Sequence, residues 1–401
     1  MEELQGLQGL HLKLRAAVAD ELPGAVALRH RLHADPRVSG DEADTTAEVV
    51  RALAAGPGHE VAGTGRVVRI GGTGPAVALR AELDALPVTE RTGVPWASPL
   101  PAMHACGHDV HLAALVAVGR AAERIGVDVP ILAVLQPREE ASPSGAEDIV
   151  RSGVLAAHDV RAIVGAHLQP RLPDGVVAVT PGPVNAATDE FEVTVHGVGG
   201  HAGYPHVARD PVLALCQIVV SLQQVASRRF DPVLGAVCSI GQISGGSAVN
   251  VVPETATARG TVRVMRDADR AVAASLIKEI VSHTAAAYGC EGRVHIDPGE
   301  PVLVNDPALA TDAARWLAAS GVTTDPGFRS YGADDFSHYS GVTRGLMLFV
   351  GTAPPGTAPP GAADAPGLHH ERFLPEDRMI GQITDALLAG YLAAIRTTLT
   401  P

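Results

Sequence analysis

Aromatic residues are scarce: six Phe, five Tyr and two Trp amount to 3% of the 401 residues. The core must therefore be aliphatic, and recognition of nucleic-acid bases by stacking is poorly supplied. Positive charge is also in deficit, with 31 Lys and Arg against 44 Asp and Glu, a net charge of −13 that disfavours polyanionic partners and acidic membrane surfaces. Neither nucleic acid nor membrane is expected as a partner. Four cysteines, Cys106, Cys216, Cys238 and Cys290, are too few to staple so long a chain, and they suggest a reducing, cytoplasmic setting. No apolar run reaches the ~18 residues of a membrane span. Met1–Pro23 is broken by Glu2, Glu3, Lys13, Arg15, Asp20 and Glu21, so no export signal is expected. What the chain does have is 46% hydrophobic residues and a length that suits about two or three domains. Its partner is expected to be a small molecule.

Apolar residues at helical spacing over Leu10–Leu32 predict a surface helix that ends at Ala34–Arg37. Short apolar runs then alternate with helical segments: Val67–Ile70, Ala76–Leu79, a helix over Val110–Ile125, Pro130–Leu135, a helix near Ala146–Ser152, and Ala162–Val164. That alternation argues for an α/β layered domain. From about Asn185 the texture changes. A strand at Asp189–His196, a helix through Asp210–Val225, strands at Ala236–Ile243 and Ala256–Val264, a helix at Asp267–Tyr288 and a strand at Gly292–Ile296 follow the order of a ferredoxin-like α+β sandwich. The α/β pattern resumes after Val304, with helices near Pro307–Ser320 and Pro375–Thr397 and a strand at Leu346–Val350. The expected organisation is one domain over residues 1–184 and 298–401 with a second, 185–297, inserted into it. Thr352–Pro366, built of Ala, Pro, Gly and Thr with a single Asp, is expected to be an extended, exposed loop.

The chemistry concentrates in a few places. Met103–His111 holds three histidines, a thiol and a carboxylate at the end of a loop and the start of a helix. Cys106 and His108, one glycine apart, can face the same side of a turn, and a thiolate with an imidazole suits a borderline-soft divalent metal. Asp109 and His111 flank the pair, where a helix would send them behind it as supporting groups. The strand at Pro130–Leu135 leads into Gln136–Glu140, whose last two residues are adjacent acids. Adjacent side chains diverge, so one carboxylate can bind a metal while its neighbour handles a proton of water, as metal-assisted hydrolysis requires. The run Ala162–Val164 ends in Gly-Ala-His167, and Gly-Leu-His369-His370 follows the Pro/Gly-rich segment. Ligand sites of open α/β sheets gather at carboxyl ends of strands, so these four places point to one pocket.

Five blocks carry a family resemblance: Arg80–Pro87, Met103–His111, Gln136–Glu140, Gly200–His206 and Leu368–Phe373. Together they resemble the dinuclear-metal amidohydrolases that include hippurate hydrolases, N-acyl-amino-acid amidohydrolases and auxin-conjugate hydrolases, within the wider family of aminoacylases and metal-dependent carboxypeptidases. The resemblance runs from about Leu28 to Leu392. It implies a mixed-sheet metallopeptidase-like catalytic domain with an inserted ferredoxin-like lid and dimerisation domain. It implies two divalent metal ions per subunit, Zn, Mn, Co or Ni, held by Cys106, His108, Glu140, His167 and His369. Glu139 is implied as general acid/base and Asp84 as an acid that orients a ligand. His369 is preferred to His370 because the family's histidine precedes a Phe by four positions, as His369 precedes Phe373. His201 is implied to reach the active site of a partner subunit and stabilise the oxyanion. Asn250 and Arg263 are implied as substrate contacts. Two places depart from the family pattern: Arg37 in His33-Ala-Asp-Pro-Arg37 and Asp334 in Gly332-Ala-Asp-Asp-Phe336. The expected reaction is hydrolysis of an N-acyl amino acid by a homodimer or higher homo-oligomer, with a dipeptidase or carboxypeptidase as the alternative.

Overall fold

Three runs of small and branched aliphatic residues, Ala76–Glu82, Ile131–Gln136 and Val160–Pro173, are almost wholly buried along their central residues. Such continuous apolar runs suit strands covered on both faces, and in the computed structural model, which describes residues 2–354 and 366–399, they occupy the middle of an eight-stranded sheet. Across the sheet the strands run His59–Val61, Gly65–Ile70, Ile131–Gln136, Ala76–Glu82, Val160–Pro173, Arg344–Ala353, Val176–Ala178 and Thr323–Asp325. The four neighbours from Ile131–Gln136 to Arg344–Ala353 pair in parallel, and antiparallel pairs flank them, so the sheet is mixed. This sheet belongs to the first of two compact units, which takes the described residues of Met1–Gly182, Val304–Phe328 and Asp335–Pro401.

With so few aromatics, close packing falls to small side chains. In the helix His108–Ile125, every residue from His108 to Gly119 is buried, among them three alanines and the valines Val110, Val116 and Val118. The opening helix spans Glu2–Ala34 and passes through Pro23. It is longer than its apolar spacing suggested, and Leu14 and Leu28 are 0% and 1% exposed, so one face is core. The run Ala162–Val164 does not end before His167. It continues to Pro173 because the strand Arg344–Ala353 keeps pairing alongside it, with Phe349 opposite His167. The last helix begins at Met379 rather than at Pro375 and gives way to a wider turn over Ile395–Leu399. The expected loop at Thr352–Pro366 lies largely outside the described residues.

The second unit comprises Pro183–Leu303 and Arg329–Asp334. Its four-stranded antiparallel sheet runs Ala236–Gly245, Thr255–Val264, Ala187–His196, Glu291–Pro298, the strand order of a ferredoxin-like sandwich. The helices Pro211–Arg228 and Ala268–Ala287 bury Ile218, Leu222, Ile277 and Val281 against Val193, Val195 and Ala258. Among the described residues, no helix is long and apolar enough to cross a membrane.

Candidate metal centre

The helix His108–Ile125 starts on Gly107, whose φ of +87° is open to glycine. A Cβ there would also stand 2.7 Å from Leu168 Cδ1. This turn brings Cys106 and His108 to the same buried place. His108 Nδ1 lies 2.8 Å from the Asp84 carbonyl oxygen. A carbonyl only accepts, so Nδ1 carries the proton and Nε2 presents its lone pair. That Nε2 is buried and has no hydrogen-bond partner. His167 repeats the device: its Nδ1 donates to the Leu168 carbonyl at 2.6 Å, and its Nε2 lies 3.3 Å from Cys106 Sγ.

The acid pair arrives from the strand Ile131–Gln136. Glu139 Oε2 lies 3.7 Å from His108 Nε2, and Glu140 Oε1 lies 3.1 Å from His369 Nε2. Adjacent carboxylates thus face different partners. The Glu140 amide donates to Asp84 Oδ2 at 2.9 Å, and Ser39 donates to the same oxygen at 2.7 Å. The His369 amide donates to the Ala105 carbonyl at 2.9 Å, which ties the C-terminal segment to the Cys106 turn. His370, by contrast, has no hydrogen bond to Glu140 or the Cys106 turn among the described residues, and its Nδ1 accepts from the Arg372 amide.

Donor atoms of Cys106, His108 and Glu140 all lie within 4.8 Å of one another. With His167 beside the sulfur and His369 beside Glu140, one thiol, three imidazoles and a carboxylate surround one place, a donor set suited to borderline divalent cations. The orphaned Nε2 of His108 is the kind of buried polar atom that a cation would satisfy. The sulfur is deep: burial, with Glu140 and Glu139 nearby, pushes the Cys106 thiol well above its ordinary pKa. Burial also brings His167 down to about 3, with His111 adding to it. Burial works against a charged His108, yet Glu82, Asp84 and Glu140 raise it above the usual imidazole value.

A second cluster, Glu82, His108, His111 and His167, also brings donor atoms within 4.8 Å. Its hydrogen bonds assign it a supporting role. His111 Nε2 accepts from the Leu168 amide at 3.1 Å, so its Nδ1 carries the proton, which it donates to Glu82 Oε2 at 2.9 Å. Both ring nitrogens are spent. Glu82 Oε1 faces the Arg80 guanidinium. Burial alone would raise the Glu82 carboxyl, but Arg80, then His111 and His108, hold it well below the carboxylate range. Arg80, 2% exposed, also donates to Gln136 at 2.8 Å and to Asp335 at 2.8 Å. Behind the first turn of the helix, Asp109 Oδ2 takes Arg29 Nε at 3.1 Å and His33 Nδ1 at 3.0 Å.

Asp84, Cys106, His108, Glu139, Glu140, His167 and His369 therefore come together in the first unit. His201, Asn250 and Arg263 lie in the second. His201 pairs with Val251 in a two-stranded ribbon, and the Ala202 amide donates to the Asn250 carbonyl at 3.0 Å, so these two residues are neighbours. Both are exposed. Arg263 stands near the end of the strand Thr255–Val264, where its Nη1 donates to the Tyr331 carbonyl at 2.7 Å. Sequence reasoning gave no role to Glu42, Glu82, Arg80 or Asp335. Only the burial of Arg80 and Glu82 within an apolar strand could have marked them, since a charged pair inside such a run needs partners.

Comparison with known proteins agrees with this geometry. Peptidase family M20/M25/M40 matches residues 78–382. The chain is 35% identical over 345 residues to an N-acetyl-L-cysteine deacetylase of Bacillus subtilis (strain 168), covering 82% of this chain and 80% of the relative. It is 31% identical over 365 residues to an N-acetyldiaminopimelate deacetylase of Geobacillus sp. (strain WCH70), covering 89% and 94%. Among solved structures, a dinuclear metal-binding peptidase of the M20 family from Bacillus subtilis superposes with a TM-score of 0.80 at 29% identity, covering 94% of this chain and 99% of that one. A mixed sheet, a thiol–imidazole–carboxylate centre and a match over most of the length agree: the chain belongs to peptidase family M20/M25/M40.

Proposed function

We infer that this protein is a metal-dependent amidohydrolase that cleaves the amide bond of N-acyl amino acids. The observation that carries the reading is the pairing of a compact donor set with one further acid, Glu139, whose carboxylate stands 3.7 Å from His108 Nε2. Two divalent cations held by Cys106, His108, Glu140, His167 and His369 would supply Lewis acidity toward an amide carbonyl and let water attack at neutral pH. Glu139 takes a proton from the attacking water and returns it to the leaving amine. Asp84 fixes the division of labour, because it accepts the Glu140 amide through Oδ2 while its own carbonyl holds the His108 tautomer. The names of both relatives, deacetylases of N-acetyl-L-cysteine and N-acetyldiaminopimelate, support an N-acyl amino acid as substrate.

The finer assignments are part of the same reading. The mixed soft and borderline donors suit Zn, Mn, Co or Ni. The unit Pro183–Leu303 serves as lid and dimerisation domain of a homodimer. Support comes from its ten-residue edge strand Ala236–Gly245 and from Leu213 and Val220 on the outward face of Pro211–Arg228, 54% and 64% exposed. His201 serves the active site of the second copy, with Asn250 and Arg263 as substrate contacts. Four free cysteines fit a cytoplasmic setting. Glu139→Gln tests the centre of the reading: metal content should stay at wild-type level while turnover of N-acetyl amino acids falls by about 10²–10⁴-fold. Retained turnover would remove Glu139 from its role, and faster hydrolysis of dipeptides than of N-acetyl amino acids would favour a dipeptidase.

A further inference from the structure

The acid pair hangs from a backbone conformation that its residues do not favour. Arg138, immediately before Glu139, has a φ of +51°, a left-handed conformation that strains any residue carrying a Cβ. Glu42 faces this turn from the start of the helix Ala43–Leu53 and is 0% exposed. Its Oε1 accepts the Arg138 amide at 2.9 Å, and its Oε2 accepts the Thr64 hydroxyl at 2.6 Å. Thr64 is itself fixed, because its carbonyl accepts the Thr46 hydroxyl at 2.8 Å. The Arg138 carbonyl accepts the Gly145 amide at 3.2 Å, and the guanidinium pairs with Asp148 at 2.5 Å. Two residues further on, Asp84 holds the Glu140 amide. The backbone on either side of Glu139 is thus held by two buried carboxylates, one from each side.

We propose that Glu42 is a positioning residue: by accepting the Arg138 amide it holds the left-handed turn that sends Glu139 toward His108 and Glu140 toward His369. The proposal rests on Glu139 acting as the proton carrier. It explains a fully buried glutamate whose two oxygens are both spent, one on the Arg138 amide and one on the Thr64 hydroxyl. Without it, Arg138 relaxes toward a right-handed or extended conformation, and the following carboxylate swings off its line.

The test is Glu42→Ala in the full chain, read in two ways. In metal-free protein, hydrogen exchange of the peptide covering residues 136–141 should speed up by about tenfold, since the Arg138 amide loses its acceptor. In the metal-loaded enzyme, kcat for an N-acetyl amino acid should fall by about 10²-fold with KM changed less than about threefold, the size of effect a small misplacement brings. Glu42→Gln can accept from Arg138 and donate to the Thr64 hydroxyl oxygen, so it should recover most of kcat. Adding Arg138→Gly to Glu42→Ala should also recover about tenfold of the loss, because glycine takes this φ freely. Where Glu42→Ala does not fold, Thr64→Ala, which removes only the hydroxyl on Oε2, should still accelerate exchange over 136–141. Unchanged exchange in the variant that is read, unchanged kcat, or a loss that Arg138→Gly leaves in place overturns the proposal. If Glu139→Gln proves active, the assignment of Glu139 fails separately, and the exchange result still decides whether Glu42 holds the turn.

Discussion

Replacing Asp109 with Asn should cost the metal-free protein about 3 kcal/mol of stability at neutral pH, the lower end of the range for breaking a buried ion pair on one side. Asp109 and Arg29 are both 0% exposed, and a single oxygen, Oδ2, serves Arg29 Nε at 3.1 Å and His33 Nδ1 at 3.0 Å. Asparagine keeps the volume but not the charge. Arg29 would retain Asp377 at 2.6 Å and the Pro375 carbonyl at 2.6 Å, which is why the lower end applies. About 3 kcal/mol is a large share of the 5–15 kcal/mol that folded proteins typically hold, so urea unfolding should resolve it easily. Trp96 is a built-in reporter, because it stacks on His30 at 4.2 Å and lies 5.2 Å from the Arg29 guanidinium. Burial works against the Asp109 carboxylate, yet Arg29 and then His33 hold its pKa well below the usual range. A depressed carboxylate stabilises the fold above its unfolded pKa and loses that contribution as pH falls. The gap between wild type and Asp109→Asn should therefore narrow as pH drops below about 4. A cost under about 1 kcal/mol, or a gap that does not change with pH, would refute the reasoning.

The metal-free protein should also weaken in mild acid, through buried histidines. His104, by burial, and His167, by burial with His111, are brought down to about 3, so between about pH 6.5 and 3 the unfolded chain binds the extra protons and stability falls as pH falls. Two such groups give a slope of up to about 2.7 kcal/mol per pH unit, and a flat urea midpoint between pH 6.5 and 5 would contradict the assignment. Gly145→Ala should lower both the melting temperature and turnover. An added Cβ would stand 1.7 Å from the Pro137 carbonyl oxygen, so the turn carrying Glu139 and Glu140 must move; wild-type melting and turnover would show that the backbone yields without cost.

The fold was largely legible, because buried parallel strands announce themselves as apolar runs. The site was legible where its residues are close in sequence. Cys106 and His108 share one turn, and Glu139 and Glu140 share another, so local spacing alone suggested chemistry. His167 was expected at the end of a strand and lies inside one, since the pairing that extends the strand comes from residues near Phe349. The supports were not legible at all. Glu42 meets Arg138, and Arg80 meets Asp335, across separations of 96 and 255 residues. Nothing in a local pattern encodes such partners; they follow from which strands and turns the folded chain lays side by side.

His108 and His167 each anchor their rings on a peptide oxygen. Such an anchor cannot be titrated away, whereas an imidazole steered by a carboxylate lets go once acid neutralises its guide. The aim of both rings is therefore insensitive to acidity, and loss of metal uptake at low pH must come from protons competing directly for the coordinating atoms. A plot of binding against pH should then follow direct competition at those donors, without a separate step for a loosened ring.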